Sequence, residues 1–587
     1  MPKFILSFLI LSLFGSCSLE KKEPKKPTEK PNILLIITDD QGYGDLGFHG
    51  NPDIKTPILD AFAKGSTRFT NFYVSPVCAP TRSSLMTGRY SLRTGVCDTY
   101  NGWAMMSPDE RTIAEILKEN GYKTGMSGKW HLGDTYPSRP NDQGFDYSLI
   151  HKAGGMAQVG DPDTWFEKDS AYFDPILTEN GEKVKIEGYC SDIFTDAAID
   201  FISENKDQPF FCYLSFNAPH TPLQLPEKYE AMYADLEIDS TNYPKFERTF
   251  PKMNNRNISD AQKIYGMVSN IDDNVGRVLS KLEELQIREN TLIIFMTDNG
   301  PQQVRYTGGF RGQKSSVYEG GIHVPLFIQF PKKLTADKEI STPVAHYDML
   351  PTLLDFCGIT QPDNLDGKSM KPLTEGQKVD WADRSLFFQW QRGFPEPYRN
   401  VAVRKGNFKM VGHAGHLAKA SDLELYDLSK DPSEMHNISI ENIEKTEELK
   451  AEFDNWYEEI MQSPNIDNVK IVIGSNAENP ILLSRNDAKG SYGVWAQKEI
   501  YGYWDAHIEQ DGFYTVKCFF EEPLSDDGRM NVRFGTVQRA VENKERTQEV
   551  LIEKIFLKKG DCRIDAGYRN ARTWRVEFPF YLEVERI

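Results

Sequence analysis

The chain has no apolar stretch long enough to cross a bilayer, and it has little cysteine. Its N-terminal apolar stretch, Phe4 to Phe14, is shorter than the roughly 20 residues that a membrane-spanning helix needs. The 8 cysteines among 587 residues are widely spaced, which excludes a small disulfide-stapled scaffold. Net positive charge is also missing, since the formal net charge is -18. An acidic surface argues against nucleic acid and anionic membranes as partners.

The N-terminus has the pattern of an export signal. Lys3 precedes the apolar stretch, as in secretory signals. The end of the stretch, FGSC, resembles a bacterial lipobox, which predicts a lipid anchor at Cys17; plain cleavage is the alternative. Residues 18–31 are charged and proline-rich, which is typical of a flexible tether. The expected location is the periplasm or the cell surface, with membrane contact only through the lipid at Cys17.

Besides Cys17 and Cys78, the chain has six cysteines. An exported protein can form one or two disulfides among them, and the pair to check first is Cys518 with Cys562. Buried free thiols are at least as well supported for Cys212 and Cys357, which lie in apolar runs.

Short apolar runs predict buried strands of a parallel sheet. They are Asn32–Thr38, Phe210–Phe216 and Thr291–Thr297, and YKTGMS (122–127) is a further strand. Two helices are predicted between them. One starts at Ser107 with Glu110 completing a capping box, and the other covers Gln262–Leu285. Alternating strands and helices predict an α/β fold with a mostly parallel sheet over residues 32–384.

The pattern of apolar and polar residues changes toward the C-terminus. Residues 385–467 predict a small antiparallel sheet and an acidic helix, packed on the main domain. Residues 468–587 contain many short alternating strands and predict a separate β-sandwich. Within it, Asp511-Gly512 is a hairpin signal. There is no fixed-period repeat.

Polar side chains follow each strand-like run. They are Asp39-Asp40, Lys129 and His131, His220, and Asp298-Asn299. Ligands of parallel sheets gather at the carboxyl ends of the strands, so we expect one site. The oxygen ligands Asp39, Asp40, Asp298 and Asn299 suit Ca²⁺ or Mg²⁺, although a lone Asp pair after a strand is more often a helix cap.

A basic set accompanies these oxygens on turn-rich segments. Its members are Lys129, His131, His220, Arg311 and Lys314. A lone histidine is usually structural or solvated. Several cations beside a divalent metal, in an acidic protein, indicate a site for a tetrahedral oxyanion such as sulfate or phosphate.

The segment from Cys78 to Gly88, CAPTRSSLMTG, resembles the Cys-x-Pro-x-Arg signature of the sulfatase family, within the alkaline-phosphatase-like superfamily. The resemblance extends over roughly Asn32 to Ile460, through PNILLIITDDQGYGDLG, GYKTGMSGKWHLG, SFNAPHTPL, TDNGP, FRGQKSSVYEGGIHVP and ELYDLSKDPSE. The β-sandwich lies outside the family's core pattern. Without this context, Cys78 would be interpreted as a buried thiol or half of a disulfide.

The resemblance implies that a formylglycine-generating or sulfatase-maturating enzyme oxidises Cys78 to formylglycine. It implies one Ca²⁺ ion, with Mg²⁺ less expected, held by Asp39, Asp40, Asp298, Asn299 and the converted Cys78. A hydroxyl of the hydrated aldehyde then attacks sulfur.

The resemblance also implies roles for the neighbouring residues. Arg82 stabilises the diol, and Lys129 and Lys314 hold the sulfate. His220, alone or with Lys314, protonates the leaving alcohol. His131 is the base that releases sulfate and restores the aldehyde.

For several other residues the sequence leaves more than one role. Arg311 either contacts the anion or shapes its loop. His49, His151, His323, His346 and His436 are interpreted as structural or solvated. The candidates for sugar specificity are Trp165, Trp390, Arg392, His413 and His416.

The predicted function is removal of sulfate from a sulfated polysaccharide or its oligosaccharides. Algal glycans such as ulvan or carrageenan are expected first, and glycosaminoglycans second. The alternatives are a formylglycine-dependent phosphonate or phosphodiester hydrolase and a glycan-binding protein with a vestigial site. The β-sandwich either binds sugar or buttresses the catalytic domain. This assignment rests on analogy, because no motif reads a sugar directly.

Overall fold

The computed structural model describes residues 30–587, except 159, 378, 380, 382 and 383. The predicted signal, Cys17 and nearly all of the tether lie outside this range. Within it, no helix combines the length and apolarity needed to cross a membrane.

The N-terminal part alternates strands and helices. Its strands are β1 (Asn32–Thr38), β2 (Thr67–Phe69), β3 (Phe72–Tyr73), β4 (Lys123–Lys129), β5 (Tyr147–His151), β6 (Ile176–Glu179), β7 (Glu182–Lys185), β8 (Phe210–Ser215), β9 (Thr291–Thr297), β10 (Leu326–Gln329), β11 (Lys338–Ile340) and β12 (Val344–Ala345). Its α-helices are α1 (Pro57–Lys64), α2 (Cys78–Thr87), α3 (Ile113–Glu119), α4 (Cys190–Glu204), α5 (Glu227–Ala231), α6 (Asn255–Glu284), α7 (Glu319–Ile322), α8 (Met349–Cys357) and α9 (Lys371–Thr374).

Ten of these strands form one sheet in the order β11-β2-β10-β9-β1-β8-β4-β5-β6-β7. The central strands β9, β1, β8, β4 and β5 run parallel. Strands β10, β6 and β7 add antiparallel pairs toward the edges. The predicted α/β fold with a mostly parallel central sheet is confirmed.

The central strand β1 shows why an unbroken apolar run was needed. Leu35 and its like-facing neighbours belong to one apolar core, which also contains residues of α3 and α8. Leu34 and Ile36 belong to a second core on the other face, with residues of α4 and α6. A strand covered on both faces must be apolar at every position.

Two helix boundaries differ from the prediction. The helix expected at Ser107 begins instead at Ile113, where Thr112 is the N-cap and forms a capping box with Glu115. Glu110 does not cap a helix, because its carboxylate accepts two hydrogen bonds from Arg89, of 2.6 and 2.8 Å. The long helix α6 starts at Asn255, earlier than predicted.

A small antiparallel sheet follows, as predicted. Its strands, in sheet order, are β13 (Ser385–Gln389), β14 (Arg399–Lys405), β15 (Phe408–His413) and β16 (Glu424–Asp427). The acidic helix α10 (Ile443–Ile460) packs on one face. Val401 and Val403 share that core, whereas Ala402 points to the opposite core, which contains Tyr73 of the main domain.

The C-terminal region forms two further sheets around one apolar core. Its strands are β17 (Ile471–Ile473), β18 (Ile481–Ser484), β19 (Lys489–Gly490), β20 (Gly502–Ile508), β21 (Gly512–Phe519), β22 (Gly528–Phe534), β23 (Val537–Asn543), β24 (Glu549–Leu557), β25 (Gly560–Asn570), β26 (Val576–Glu577) and β27 (Tyr581–Arg586). We call residues 468–587 the C-terminal module; its boundary remains a prediction.

The turn at Asp511-Gly512 is not a hairpin, which corrects the prediction. Strand β20 before it pairs with β17, β19 and β25, whereas β21 after it pairs with β24 and β27 in the other sheet. The turn therefore carries the chain from one sheet to the other. Neither Asp511 nor Gly512 has the positive φ of a two-residue hairpin turn, and strand pairing is decided by partners far along the chain.

The disulfide between Cys518 and Cys562 is also absent. Cys518 lies on β21 and Cys562 on β25, in different sheets. Each of the described cysteines is free of disulfides, and Cys212 is a buried thiol, in line with the alternative interpretation.

We predict that Lys409→Met destabilises the protein strongly. The buried ammonium of Lys409 on β15 contacts Glu319 of α7 at 2.8 Å and Glu434 at 2.9 Å. The substitution leaves two buried carboxylates without their cation, which costs about 3–5 kcal/mol of unfolding free energy. Thermal unfolding followed by circular dichroism should show a lower midpoint.

The matched control is Lys405→Met on the neighbouring strand. Lys405 forms partly exposed pairs with Glu448 and Glu452, and an ion pair that solvent reaches is worth about 0–1 kcal/mol. Equal midpoints for the two variants would contradict this account of the buried pair.

Candidate active site

The carboxyl ends of the central parallel strands bring the predicted site residues together. Asp39-Asp40 follow β1 and Asp298-Asn299 follow β9, while Lys129 ends β4. The backbone N–H of Asp40 donates to Asp298 Oδ1 at 3.2 Å. Because these strands are neighbours in one sheet, residues more than 200 positions apart share one site.

Cys78 is the first residue of helix α2 and is buried at this site. Its Sγ and a carboxylate oxygen from each of Asp39 and Asp298 lie within 4.8 Å of one another. Oxygens of Asp39 and Asp40 and a ring nitrogen of His220 meet the same limit. Burial raises the pKa of the Cys78 thiol, so the side chain is protonated unless it is modified or bound.

Three oxygens at the site lack a hydrogen-bond partner among the described residues. They are Asp39 Oδ1, Asp40 Oδ2 and Asn299 Oδ1, all buried. Buried unpaired acceptors cost free energy. The three belong to neighbouring residues, because Asn299 Nδ2 donates to Asp40 Oδ1 at 2.8 Å and an oxygen of Asp39 lies within 4.8 Å of one of Asp40; we call them the oxygen cage. Their chemistry fits a hard divalent cation such as Ca²⁺ or Mg²⁺.

Three cations offset the carboxylates. Lys129 Nζ lies 2.5 Å from Asp39 Oδ2, and Lys314 Nζ lies 2.6 Å from Asp40 Oδ1. Arg82 donates to Asp298 Oδ2 through Nε at 3.1 Å and Nη2 at 2.8 Å. Each carboxylate thus keeps one cationic partner.

The electrostatics of these pairs follow from burial and contact. Burial disfavours both charges, but the pair with Asp40 raises the pKa of Lys314. Lys314 and His220 together hold the pKa of Asp40 well below its usual range, against the effect of burial. Burial and the nearby Asp39 raise the pKa of Asp298 to about 6.

Of the two predicted catalytic histidines, His220 lies beside a carboxylate and His131 contacts a backbone carbonyl. His220 Nδ1 contacts the carbonyl oxygen of Thr221 at 2.7 Å, and its Nε2 lies 3.7 Å from Asp40 Oδ2. His131 Nε2 contacts the carbonyl of Thr99 at 3.0 Å, and its Nδ1 is unpaired within the described structure. Burial and then Lys314 lower the pKa of His220 to about 3.

Gly128 allows Lys129 to reach the site. It has a φ of 111°, and a Cβ there would lie only 1.7 Å from the carbonyl oxygen of Ser215 on β8. A larger residue would therefore separate the ends of β4 and β8.

Ser215 is a site residue that the sequence analysis missed. Its Oγ accepts from Arg82 Nη1 at 2.6 Å and donates to the carbonyl of Lys129 at 2.7 Å. It holds the guanidinium between two strand ends. The sequence could have identified Ser215 as a site residue, because it is the last residue of an apolar strand.

Arg311 shapes its loop. Its guanidinium donates to Tyr426 Oη at 2.8 Å and to the carbonyl of Glu434 at 3.1 Å, and it stacks 3.8 Å from the ring centroid of Tyr318. These contacts tie it to the small sheet and favour the second of its two interpretations.

Most of the other histidines have structural contacts. His49 stacks on Tyr43, His323 binds Glu319, His346 contacts Ser75, and His436 pairs with Glu247 at the surface. His151 differs, because both of its buried ring nitrogens are unpaired in the described part of the chain.

The candidates for sugar contact occupy different places. Trp165 packs against Phe580 of the C-terminal module and donates to Glu521 at 3.2 Å. Trp390 and Arg392 both donate to Asp98. His413 lies with its ring 5.1 Å from that of Tyr318, and His416 is exposed.

Comparison with known proteins gives two family matches. A sulfatase family model matches residues 31–359. A model of the N-sulphoglucosamine sulphohydrolase C-terminal region matches residues 310–462.

Two curated relatives illustrate the similarity. N-acetylglucosamine-6-O-sulfatase of Bacteroides thetaiotaomicron is 28% identical over 546 residues, covering 78% of this chain and 90% of the relative. An ulvan-active sulfatase of Formosa agariphila is 31% identical over 457 residues, covering 74% and 81%.

Among solved structures, Ps i-CgsB matches with a TM-score of 0.63 and 31% identity, covering 74% of this chain and 94% of that one. It has also been determined in complex with k-i-k-neocarrahexaose, with the same TM-score. From the family match over most of the residues before the C-terminal module, together with these relatives, we conclude that this chain belongs to the sulfatase family and is a sulfuric ester hydrolase.

Proposed function

We propose that this protein is an exported sulfatase that removes sulfate from a sulfated glycan, using a formylglycine derived from Cys78 and a bound Ca²⁺ ion. The observation that carries the proposal is the cage of unpaired oxygens of Asp39, Asp40 and Asn299 beside Cys78. The ion is not needed to explain the fold, but it explains why these oxygens are buried without partners among the described residues.

In the proposed site, Asp39, Asp40, Asp298 and Asn299 hold the cation together with the converted Cys78. Conversion oxidises Cβ of Cys78 to an aldehyde carbon: the C–S bond is broken, the sulfur leaves, and a separate maturating enzyme supplies the oxidant. When present, the hydrated aldehyde supplies the attacking oxygen and the cation polarises the sulfate ester.

The remaining residues bind, orient and move protons. The ammonium groups of Lys129 and Lys314, each already beside a carboxylate, bind sulfate oxygens. Arg82, fixed by Asp298 and Ser215, orients the hydrated side chain at position 78. His220 works with Lys314 to protonate the leaving alcohol. Burial and Lys314 lower the pKa of His220, so the proton comes from the ammonium of Lys314, whose pKa is raised by its pair with Asp40, and passes through the imidazole. The Nδ1 of His131, which has no partner among the described residues, accepts a proton when sulfate is released.

The substrate class follows by analogy with relatives. An ulvan-active sulfatase and Ps i-CgsB, solved with a neocarrahexaose, are both 31% identical to this chain. They support an algal glycan as the first substrate to test. The N-acetylglucosamine-6-O-sulfatase, at 28% identity, supports glycosaminoglycans as the second. Export, with a lipid at Cys17, fits extracellular glycan breakdown and is part of the proposal.

We predict that Cys78→Ala abolishes sulfate release. Ion chromatography would measure free sulfate from ulvan, carrageenan and glycosaminoglycan oligosaccharides, using protein co-expressed with a maturation system. Mass spectrometry of the peptide containing Cys78 would show whether the wild-type thiol has become an aldehyde. Alanine at position 78 cannot become an aldehyde, so the variant has no oxygen nucleophile for covalent catalysis.

Cys562→Ala is the matched control, because Cys562 lies in the C-terminal module away from this site. Full activity of Cys78→Ala would refute the proposed nucleophile. A converted wild-type protein that releases sulfate from no glycan but cleaves phosphoesters would refute the proposed substrate class.

We predict that Ca²⁺ stabilises the protein and that Asp40→Asn removes most of this effect. A ligand at 100 times its Kd stabilises the folded state by about 2.7 kcal/mol. The measurement is the shift of the thermal midpoint on adding Ca²⁺ to chelator-treated protein, compared within each variant. Mg²⁺ should give a smaller shift.

Asp109→Asn, at an exposed position, is the charge-matched control and should keep the full shift. An unchanged shift in Asp40→Asn would show that the ion binds elsewhere.

We predict that His220→Ala slows cleavage of a sugar sulfate far more than that of an activated aryl sulfate. Removing a general acid costs about 10²–10⁴-fold when the leaving group is a poor one, such as a sugar alkoxide. The comparison of kcat for the two substrates tests this. His436→Ala, at an exposed ion pair, is the control, and equal losses on both substrates would exclude His220 as the acid.

A further inference from the structure

An aromatic cluster lies beside the active site and is built from residues that are far apart in the chain. We call it the aromatic subsite: Tyr100, Trp390, Arg392 and Trp495. The rings of Tyr100 and Trp495 are stacked, with centroids 5.7 Å apart and planes inclined by 14°. The guanidinium carbon of Arg392 lies 5.1, 5.2 and 5.3 Å from the ring centroids of Tyr100, Trp390 and Trp495. All four side chains are partly exposed.

The aromatic subsite borders the reacting centre. Tyr100 Oη donates to the side-chain oxygen of Gln158. A Cβ placed on Gly155 would lie 2.6 Å from Gln158 Cδ and 2.9 Å from His220 Cε1. The side-chain amide of Gln158 and the imidazole of His220 therefore both lie next to Gly155. The subsite therefore lies on the side where His220 would protonate the leaving group.

Asp98 fixes the subsite and neutralises it. Its buried carboxylate accepts from Arg392 Nη1 at 2.7 Å, from Trp390 Nε1 at 3.3 Å and from the backbone N–H of Gly393 at 2.9 Å. The charge of Arg392 is thus already compensated, and its guanidinium is held flat among the rings. Aromatic faces without net charge suit a sugar ring better than a second sulfate group.

Trp495 comes from outside the matched sulfatase region, which ends at residue 462. It belongs to the C-terminal module, on the segment that also carries Tyr492, whose ring is 76% exposed and lies 5.3 Å from that of Trp495. The module is tied to the same loop of the main domain, because the N–H of Gly102 donates to the carbonyl of Asn486 at 3.1 Å.

We propose that the C-terminal module completes the substrate site: Trp495, stacked on Tyr100, binds the pyranose ring next to the sulfated one. This inference rests on the proposed glycan sulfatase function and adds a specificity-determining residue to it. The apolar face of the ring packs on the indole, and this contact remote from sulfur raises kcat/KM for oligosaccharides. A small aryl sulfate does not reach the subsite.

The test compares Trp495→Ala with wild type on two substrates: the oligosaccharide from which wild type releases sulfate, and a small aryl sulfate. We expect kcat/KM for the oligosaccharide to fall about tenfold, as at a binding hot spot, chiefly through KM. The loss on the aryl ester should be several times smaller. Trp495→Phe, which keeps an aromatic face, should restore most of the difference.

Trp574→Ala is the matched control, because Trp574 is an exposed tryptophan of the same module; it should change neither substrate. Calorimetric titration of the oligosaccharide into Cys78→Ala, with and without Trp495→Ala, gives a readout independent of turnover and should show weaker binding without the indole.

The outcomes separate the two proposals. Equal losses on both substrates, or no loss on the oligosaccharide, would overturn the role of Trp495 while leaving the glycan sulfatase intact. A wild-type enzyme that hydrolyses the aryl sulfate but none of the glycans would overturn the proposed substrate, and with it the subsite.

Discussion

Three buried carboxylates held against one another are the constraint on which this structure depends. Asp39, Asp40 and Asp298 cannot share one site without compensation, because like charges in a buried place repel. Lys129, Lys314 and Arg82 each contact one of them. Even so, some carboxylate and amide oxygens of this site have no partner among the residues that the structure describes. The arrangement of charges therefore leaves room for an additional cation and an anionic substrate. The fold must hold these charged side chains in place.

The parallel sheet supplies that rigidity. Strands β1, β4, β8 and β9 end at the same edge, and each contributes its last residue or the residue after it. Their backbones are fixed by hydrogen bonds within the sheet and by apolar cores on both faces. Gly128 lets two strand ends approach closely, and Ser215 joins Arg82 to the end of β4. Charges that repel are held together by a framework that gains its stability from apolar burial elsewhere.

The small sheet and the two-sheet C-terminal module both contact the main domain. The small sheet is joined to the main domain through the buried Lys409 and its two glutamate partners. The C-terminal module reaches the site through the segment that carries Trp495. Loops positioned by such scaffolds often carry specificity. In our proposal, the reacting centre lies on the main sheet and sugar recognition takes place at the junction with the C-terminal module.

The sequence by itself determined the fold class, the central strands and the group of residues that meet at the sheet edge. The apolar runs of β1 and β9 and the polar pairs after them are local signals, and a parallel sheet gathers strand ends at one edge. Tertiary structure alone decided where α3 starts, because the carboxylate of Glu110 accepts a hydrogen bond from Arg89 instead of capping the helix. It also decided the pairing of β20 and β21 in different sheets, the separation of Cys518 from Cys562, and the stacking of Trp495 on Tyr100. These features depend on contacts between residues distant in the chain, which propensity and spacing do not encode.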